Sequence, residues 1–362
     1  MSDTICDTIC DTIYDNVLEL QNLAVSFDTP DGETEAVRGV DLSVRKGEIV
    51  CIVGESGCGK TVLCKSVLHL LPRNSRIKHG RVIVCGQDIT DCREKEMRKL
   101  RGPVMSMIFQ DPLMTLNPTI PVGKQIMENI CKHEKISREA AKKRAIEMLS
   151  MVRIDDAQNR FFLQPHFFSG GMRQRCVLAV ALASHPKLLF ADEATTALDV
   201  MVEAKILDLL LKICKDTGIS IVFITHDLGA AARIADRIAV MYAGKIVELG
   251  TAEDIFYDPR HPYTWGLLSS LPSLAAETGK LCYIPGTPPS LTNPPPGDAF
   301  AVRNPYALAI DYEEMPPMFQ ITDTHFAATW LLDKRAPKTE APIKLLSGER
   351  KWITTASSKF KI

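Results

Sequence analysis

Ile49-Val50-Cys51-Ile52-Val53-Gly54-Glu55-Ser56-Gly57-Cys58-Gly59-Lys60-Thr61 is the stretch on which the reading of this chain turns. A continuous apolar run at 49–53 suits a strand covered on both faces. Residues 54–61 then fit G-x-x-x-x-G-K-[ST], and an apolar-periodic helix is expected at 62–71. Glycines let the backbone curl so that several N–H groups converge on phosphate oxygens, and the following helix adds its positive N-terminal end. Lys60 is expected to bridge the β- and γ-phosphates as a point charge, and Thr61 to give its hydroxyl to Mg²⁺. Gly54, Glu55, Ser56, Gly57, Cys58, Gly59, Lys60 and Thr61 are therefore the candidate residues for a nucleoside triphosphate.

Outward from this loop, strands are predicted at 17–27, 35–44, 81–85, 104–109, 188–191, 219–225 and 238–242. Helical periodicity falls at 122–131, 138–152, 170–184, 202–215 and 228–234. Strands alternating with helices at this spacing argue for an α/β fold with a largely parallel sheet. Residues 111–176 contribute helices and no strand, which reads as a helical insertion. After about residue 255 prolines become frequent, marking a separate loop-rich piece, and 336–362 reads as a tail. At the other end Asp-Thr-Ile-Cys stands at 3–6 and again at 7–10, followed by Asp-Thr-Ile-Tyr at 11–14. Residues 1–16 are expected to be a mobile extension, because Cys6 and Cys10 alone fall short of a four-ligand metal site.

Composition narrows the classes. A net charge of -1 supplies no overall basic field for nucleic acid or anionic lipid. No apolar run approaches the length of a membrane-spanning helix, and the acidic, polar start does not resemble a signal peptide. Membrane association is thus expected to come through a partner. The 11 cysteines include no C-x-x-C pair, so neither a disulfide scaffold nor a common zinc spacing is indicated.

A second group of residues carries chemistry. Leu188-Leu189-Phe190-Ala191-Asp192-Glu193 is an apolar strand ending in two acids, and ligand chemistry in such sheets sits at the carboxyl ends of strands. Asp192 can orient a metal and its waters, and Glu193 can polarise a water attacking the γ-phosphate. Phe168-Ser169-Gly170-Gly171-Met172-Arg173-Gln174-Arg175 opens a helix with another anion-binding N-terminus. Gln110 and His226 both end apolar strands and are delivered to the same kind of edge.

In order and spacing these motifs resemble an ABC ATPase across roughly residues 17–250. The resemblance makes 54–61 the Walker A loop, Gln110 the Q-loop glutamine and 169–174 the signature motif. It makes 188–192 Walker B with Glu193 as catalytic base, Ala197-Leu198-Asp199 the D-loop and His226 the switch histidine. It implies a P-loop NTPase core of parallel sheet with an antiparallel β subdomain, a helical subdomain at about 111–176 and a loop-rich C-terminal extension. Two ATPs would be sandwiched in a head-to-tail dimer, each touching Walker A of one chain and Ser169, Gly170, Gly171 and Gln174 of the other. Mg²⁺ would be held by Thr61, Gln110 and Asp192, and Phe27 is the candidate to stack on adenine, with a core strand role as its alternative.

Met107-Ile108-Phe109-Gln110-Asp111-Pro112 with Leu116-Asn117-Pro118, the signature stretch 168–175, His261-Pro262-Tyr263-Thr264-Trp265-Gly266-Leu267-Leu268, Pro285-Gly286-Thr287-Pro288-Pro289 and residues 297–306 resemble the oligopeptide/dipeptide importer ATPases. The implied division is an ATPase domain at 17–254 and an importer-type C-terminal region at 255–335. That branch implies a second ATPase subunit, two membrane permease subunits and an external peptide-binding protein, with this chain peripheral on the cytoplasmic face of the cell membrane. The activity implied is ATP hydrolysis coupled to oligopeptide/dipeptide uptake; nickel, metal chelates and antimicrobial peptides are the alternative cargoes, and a soluble ABC ATPase is the more distant alternative. Many relatives carry four cysteines for an iron–sulfur cluster; the matching positions here are Asp298, Asn304, Asp311 and Thr329, so no cluster is expected. Ala194 replaces the usual proline after the Walker B glutamate, and Phe167 the glutamate frequent before the signature. Cys58, beside Lys60 and a helix N-terminus, is expected to have a lowered thiol pKa and to be open to alkylation.

Overall fold

The computed structural model describes residues 14–110, 115–195, 199–271, 283–339 and 341. The expectations for the repeat at 3–13, for Asp111 and Pro112, for Ala197 and Leu198 and for most of the tail lie outside the described residues. Two compact units emerge, one of Met1–Leu18, Ser43–Ile49 and Ile83–Ile224, the other of Glu19–Leu42, Val50–Val82 and Thr225–Ile362.

In chain order the strands are β1 (Asn16–Thr29), β2 (Gly32–Arg45), β3 (Ile49–Val53), β4 (Ser75–Val84), β5 (Gln87–Asp88) and β6 (Met105–Ile108). They continue with β7 (Leu188–Asp192), β8 (Ser220–Thr225), β9 (Arg237–Tyr242), β10 (Lys245–Thr251), β11 (Phe319–Gln320) and β12 (Phe326–Ala327). The helices are α1 (Lys60–Val67), α2 (Glu94–Leu100), α3 (Val122–His133), α4 (Arg138–Met151), α5 (Ala157–Arg160) and α6 (Gly170–Leu182). The remainder are α7 (Val200–Thr217), α8 (Leu228–Ile234), α9 (Ala252–Tyr257) and α10 (Pro262–Ser269).

In the first unit β6, β7 and β8 run parallel, with Met105 opposite Leu188, and Leu188 in turn opposite Ser220. Every residue of β7 and β8 is buried, as an apolar run without alternation requires when both faces are covered. Residues 115–176 add α3, α4, α5 and the start of α6 without a strand among the described residues. On α3 the buried Val122, Ile126 and Ile130 recur at helical spacing and form one apolar face. Ser137 caps α4 by accepting the Ala140 N–H at 3.2 Å.

In the second unit β1 lies between β2 and β4 in one sheet. A separate run of strands has the order β11-β12-β10-β9-β3. There β3 is parallel to β9, with Val53 opposite Val240, and β9 turns antiparallel into β10. The turn is Ala243-Gly244, with φ of 45° and 81°, the two left-handed residues of a tight hairpin. Sequence periodicity ended the sheet at residue 242, whereas the hairpin carries it on through β10, β12 and β11. At the end of β9, Tyr242 forms a ring cluster with Tyr263 and Phe300, with centroids 4.6–5.3 Å apart. Among the described residues no helix is long and apolar enough to cross a membrane.

Candidate functional site

In the second unit the loop at 54–61 leaves the carboxyl end of β3 and enters α1. Gly54, Gly57 and Gly59 have φ of 152°, 80° and 107°, conformations L side chains rarely adopt. A Cβ at Gly54 would lie 2.1 Å from the Met241 carbonyl oxygen, and one at Gly59 2.3 Å from that of Ala36. Gly57 instead faces open space, with no atom within 4 Å of a Cβ placed there. The N-terminus of α1 has no side-chain cap, which leaves its dipole end to an anion. Lys60 is buried, and its ammonium donates to the Gly54 and Glu55 carbonyls, both at 2.8 Å. An uncapped helix end, open space over Gly57 and a lysine tied only to its own loop suit an incoming phosphate.

Two loop residues depart from a simple reading of the motif. Glu55 contributes backbone only, since its carboxylate is gripped by Arg303 at 2.6 and 2.9 Å. Cys58 overturns the expectation of an activated thiol. It is 5% exposed, and burial pushes its pKa up against the opposing influence of Lys60, whose Nζ is 3.7 Å from the sulfur. Desolvation of a thiolate outweighs one nearby cation here.

Also in this unit, His226 is exposed immediately after β8, and Asp227 behind it caps α8 by accepting the Gly229 N–H at 2.7 Å. Phe27 is half-buried on β1, close to the turn at residues 30–31.

In the first unit Asp192 is the last residue of β7 and is 3% exposed. Glu193 follows with φ 46°, and its N–H donates to the Ile224 carbonyl on β8 at 3.0 Å. The Gln110 amide donates to Glu193 Oε2 at 2.7 Å, so two of the predicted site residues, 83 apart in sequence, meet directly. Ser169 caps α6 by accepting the Met172 N–H at 3.4 Å. Gly170 is exposed and has no atom within 4 Å of a Cβ position, whereas a Cβ on Gly171 would meet Val202 Cγ1 at 2.4 Å. Asp199 caps α7 by accepting the Val202 N–H at 2.9 Å, so the same residue fixes the helix end that lies against Gly171. Gln174 is buried, unlike Ser169 and Gly170. Phe167, just before this group, is 60% exposed.

Asp298, Asn304, Asp311 and Thr329 are all buried. Each accepts a nearby backbone N–H: Asp298 from Phe300, Asn304 from Tyr306, Asp311 from Leu308 and Thr329 from Leu331. These oxygen acceptors brace the surrounding turns. Sequence reading missed Tyr263 and Arg303 as neighbours of the phosphate loop; the only available signal was their place in stretches of the C-terminal region that resemble importer ATPases.

The ABC transporter family model matches residues 37–196, and the model for the oligopeptide/dipeptide transporter C-terminal region matches 247–310. The oligopeptide transport ATP-binding protein OppD of Bacillus subtilis is 54% identical over 341 residues, covering 94% of this chain and 95% of its own. The dipeptide transport ATP-binding protein DppD of Lactococcus lactis is 51% identical, covering 93% and 97%. Among solved structures, a dimeric ATP-binding cassette in a post-hydrolysis state with ADP and Pi has a TM-score of 0.59 at 27% identity, covering 65% of this chain and 98% of its own. A Clostridium perfringens protein that is part of the ABC transporter complex cbiONQ has a TM-score of 0.61 at 26% identity, covering 74% and 100%.

Proposed function

Because the chain belongs to the ABC transporter ATP-binding family, in its oligopeptide/dipeptide branch, we propose that it hydrolyses ATP to power uptake of short peptides through a membrane complex. Its fold is that of a P-loop ABC ATPase, with mixed parallel and antiparallel sheets. The observation that carries the reading is similarity extending over both the phosphate-loop cassette and the C-terminal region, at 54% identity.

The residues take these roles in the proposal. Backbone N–H groups of 57–61 and the N-terminus of α1 receive the phosphates, and Lys60 leaves its loop carbonyls for phosphate oxygens. Thr61, Asp192 and Gln110 are the residues that would hold Mg²⁺, and the ion would supply charge neutralisation to the phosphates. Glu193 takes the proton of the attacking water, and Gln110 holds the carboxylate in place until then. His226 lies at the γ-phosphate end, and Phe27 stacks on adenine. Ser169, Gly170 and Gly171 belong to the surface that meets the nucleotide of a second ATPase subunit, with Asp199 alongside, whereas the side chain of Gln174, expected there from the resemblance, is 3% exposed and does not reach that surface. Two permease subunits and an external peptide-binding protein complete the complex, and this chain sits peripherally on the cytoplasmic face.

The test uses the complete complex in proteoliposomes with labelled di- and oligopeptides. Peptide-loaded binding protein is expected to stimulate ATP turnover and to drive label into the lumen. Stimulation by nickel or a metal chelate with none by peptide would reject the cargo assignment.

A further inference from the structure

Within the second unit the phosphate loop is held from the C-terminal region. Arg303, at the end of the short 3₁₀ turn Ala301–Arg303, sends two nitrogens to the two carboxylate oxygens of Glu55, at 2.6 and 2.9 Å. Its Nε donates to the Pro285 carbonyl at 2.8 Å and a terminal nitrogen reaches the Tyr242 hydroxyl at 3.2 Å. The guanidinium side chain is 5% exposed and the Glu55 side chain 27%. The Glu55 backbone N–H also donates to the Tyr263 hydroxyl at 2.8 Å. Burial raises the Tyr263 phenol pKa, so the group that accepts this N–H is the neutral hydroxyl. Tyr263 is fixed in turn by its ring contacts with Tyr242 and Phe300. Asp298 accepts the Phe300 N–H at 2.9 Å and so pins the turn that carries Arg303.

A loop with three left-handed glycines has many alternatives when free, and ordering each residue carries a cost in conformational entropy. Fixing the loop in advance raises affinity by removing that cost from the binding step. Bidentate arginine–carboxylate pairing restrains both position and orientation. We propose that Arg303 and Tyr263 are positioning residues of the nucleotide site, holding Glu55 so that residues 54–61 keep their phosphate-receiving shape before ATP arrives. The C-terminal region is thereby part of the nucleotide site although it contributes no phosphate ligand. The inference rests on the ATP-binding reading of the loop.

The experiment measures MgATP affinity of the full-length chain by titration calorimetry for wild type, Glu55→Gln, Arg303→Gln, the double variant, Arg303→Lys and Tyr263→Phe. Thermal unfolding is followed in parallel. Arg303→Gln and Glu55→Gln should each raise Kd about tenfold. The double variant should stay within about twofold of Arg303→Gln, because the pair acts as one unit. Arg303→Lys should fall between wild type and Arg303→Gln, since it keeps the charge without the fork. In the assembled ATPase, KM for ATP should rise while kcat at saturation is retained, a split that loss of general stability would not produce. Wild-type affinity in folded Arg303→Gln, or effects that multiply in the double variant, overturns the proposal. Should Arg303→Gln fail to fold, Tyr263→Phe decides, because it removes one oxygen and leaves the ring packing. An unchanged Kd there overturns the clamp. Absence of ATP binding by wild type overturns the ATP-binding reading together with the clamp.

Discussion

Glu193 closes β7 with φ 46°, a left-handed conformation that costs a non-glycine residue roughly 1–2 kcal/mol. The Ile224 carbonyl holds its N–H at 3.0 Å, and the Gln110 amide holds its carboxylate at 2.7 Å. Strain of this kind persists only where the surroundings over-determine it, and here it aims a carboxylate away from the buried strand. Glu193→Gln keeps an acceptor for Gln110 but removes the base. ATP binding should survive, with turnover in the assembled ATPase falling by at least about 10²-fold; undiminished turnover would assign the base elsewhere. The two acids at the strand end were visible in the sequence, because a buried apolar strand must end somewhere polar. The hydrogen bond from Gln110 was not visible, since nothing local to either residue encodes the other. Cys58 shows the opposite failure: its charged neighbours were legible, but its burial, which pushes the thiol pKa up, was not.

At the scale of elements, the helices were legible through their apolar periodicity, and the structure shows polar residues closing their starts. Ser137, Ser169, Asp199 and Asp227 each cap a helix through a side-chain oxygen, as their position before an apolar-periodic run suggests. Strand β10 escaped, although it carries the anchor of its region. Glu248 on β10 is fully buried and accepts the N–H groups of Arg260 and His261 at 2.6 and 3.1 Å. Its Oε1 also lies 2.8 Å from His325 Nε2. One carboxylate thus ties β10 to the entry of α10 and to the segment before β12. Glu248→Ala leaves buried donors without acceptors, and equilibrium urea unfolding should show a loss of about 3 kcal/mol or more. A loss below about 1 kcal/mol would mean that the donors find other acceptors.

For the whole molecule, pH dependence of stability has an identifiable contributor in Asp298. Burial, reinforced by the like charge of Asp311, pushes its pKa up to about 6, against the Phe300 N–H that favours the carboxylate. A carboxyl whose folded pKa exceeds its unfolded value of about 3.9 favours the fold when protonated. That contribution is full below about pH 4 and is lost as pH rises through about 6. Asp298→Asn retains the acceptor oxygen without the charge. It should exceed wild type by about 1–3 kcal/mol at pH 7 and match it near pH 4 in urea unfolding. Equal stability at both values would show that the carboxylate is not destabilised in the fold.

From sequence alone came the features whose physics is local: the glycine loop between an apolar strand and a helix, the acids ending a buried strand, the helix start at Ser169 and the strand–helix alternation. Each depends on backbone conformation or periodicity within a dozen residues, so the chain states it directly. Tertiary structure alone decided that Arg303 grips Glu55 across 248 residues, that Gln110 meets Glu193 across 83, and that the sheet continues past residue 242. Those contacts depend on where the chain returns after long excursions, and on what it buries there, which no local pattern specifies.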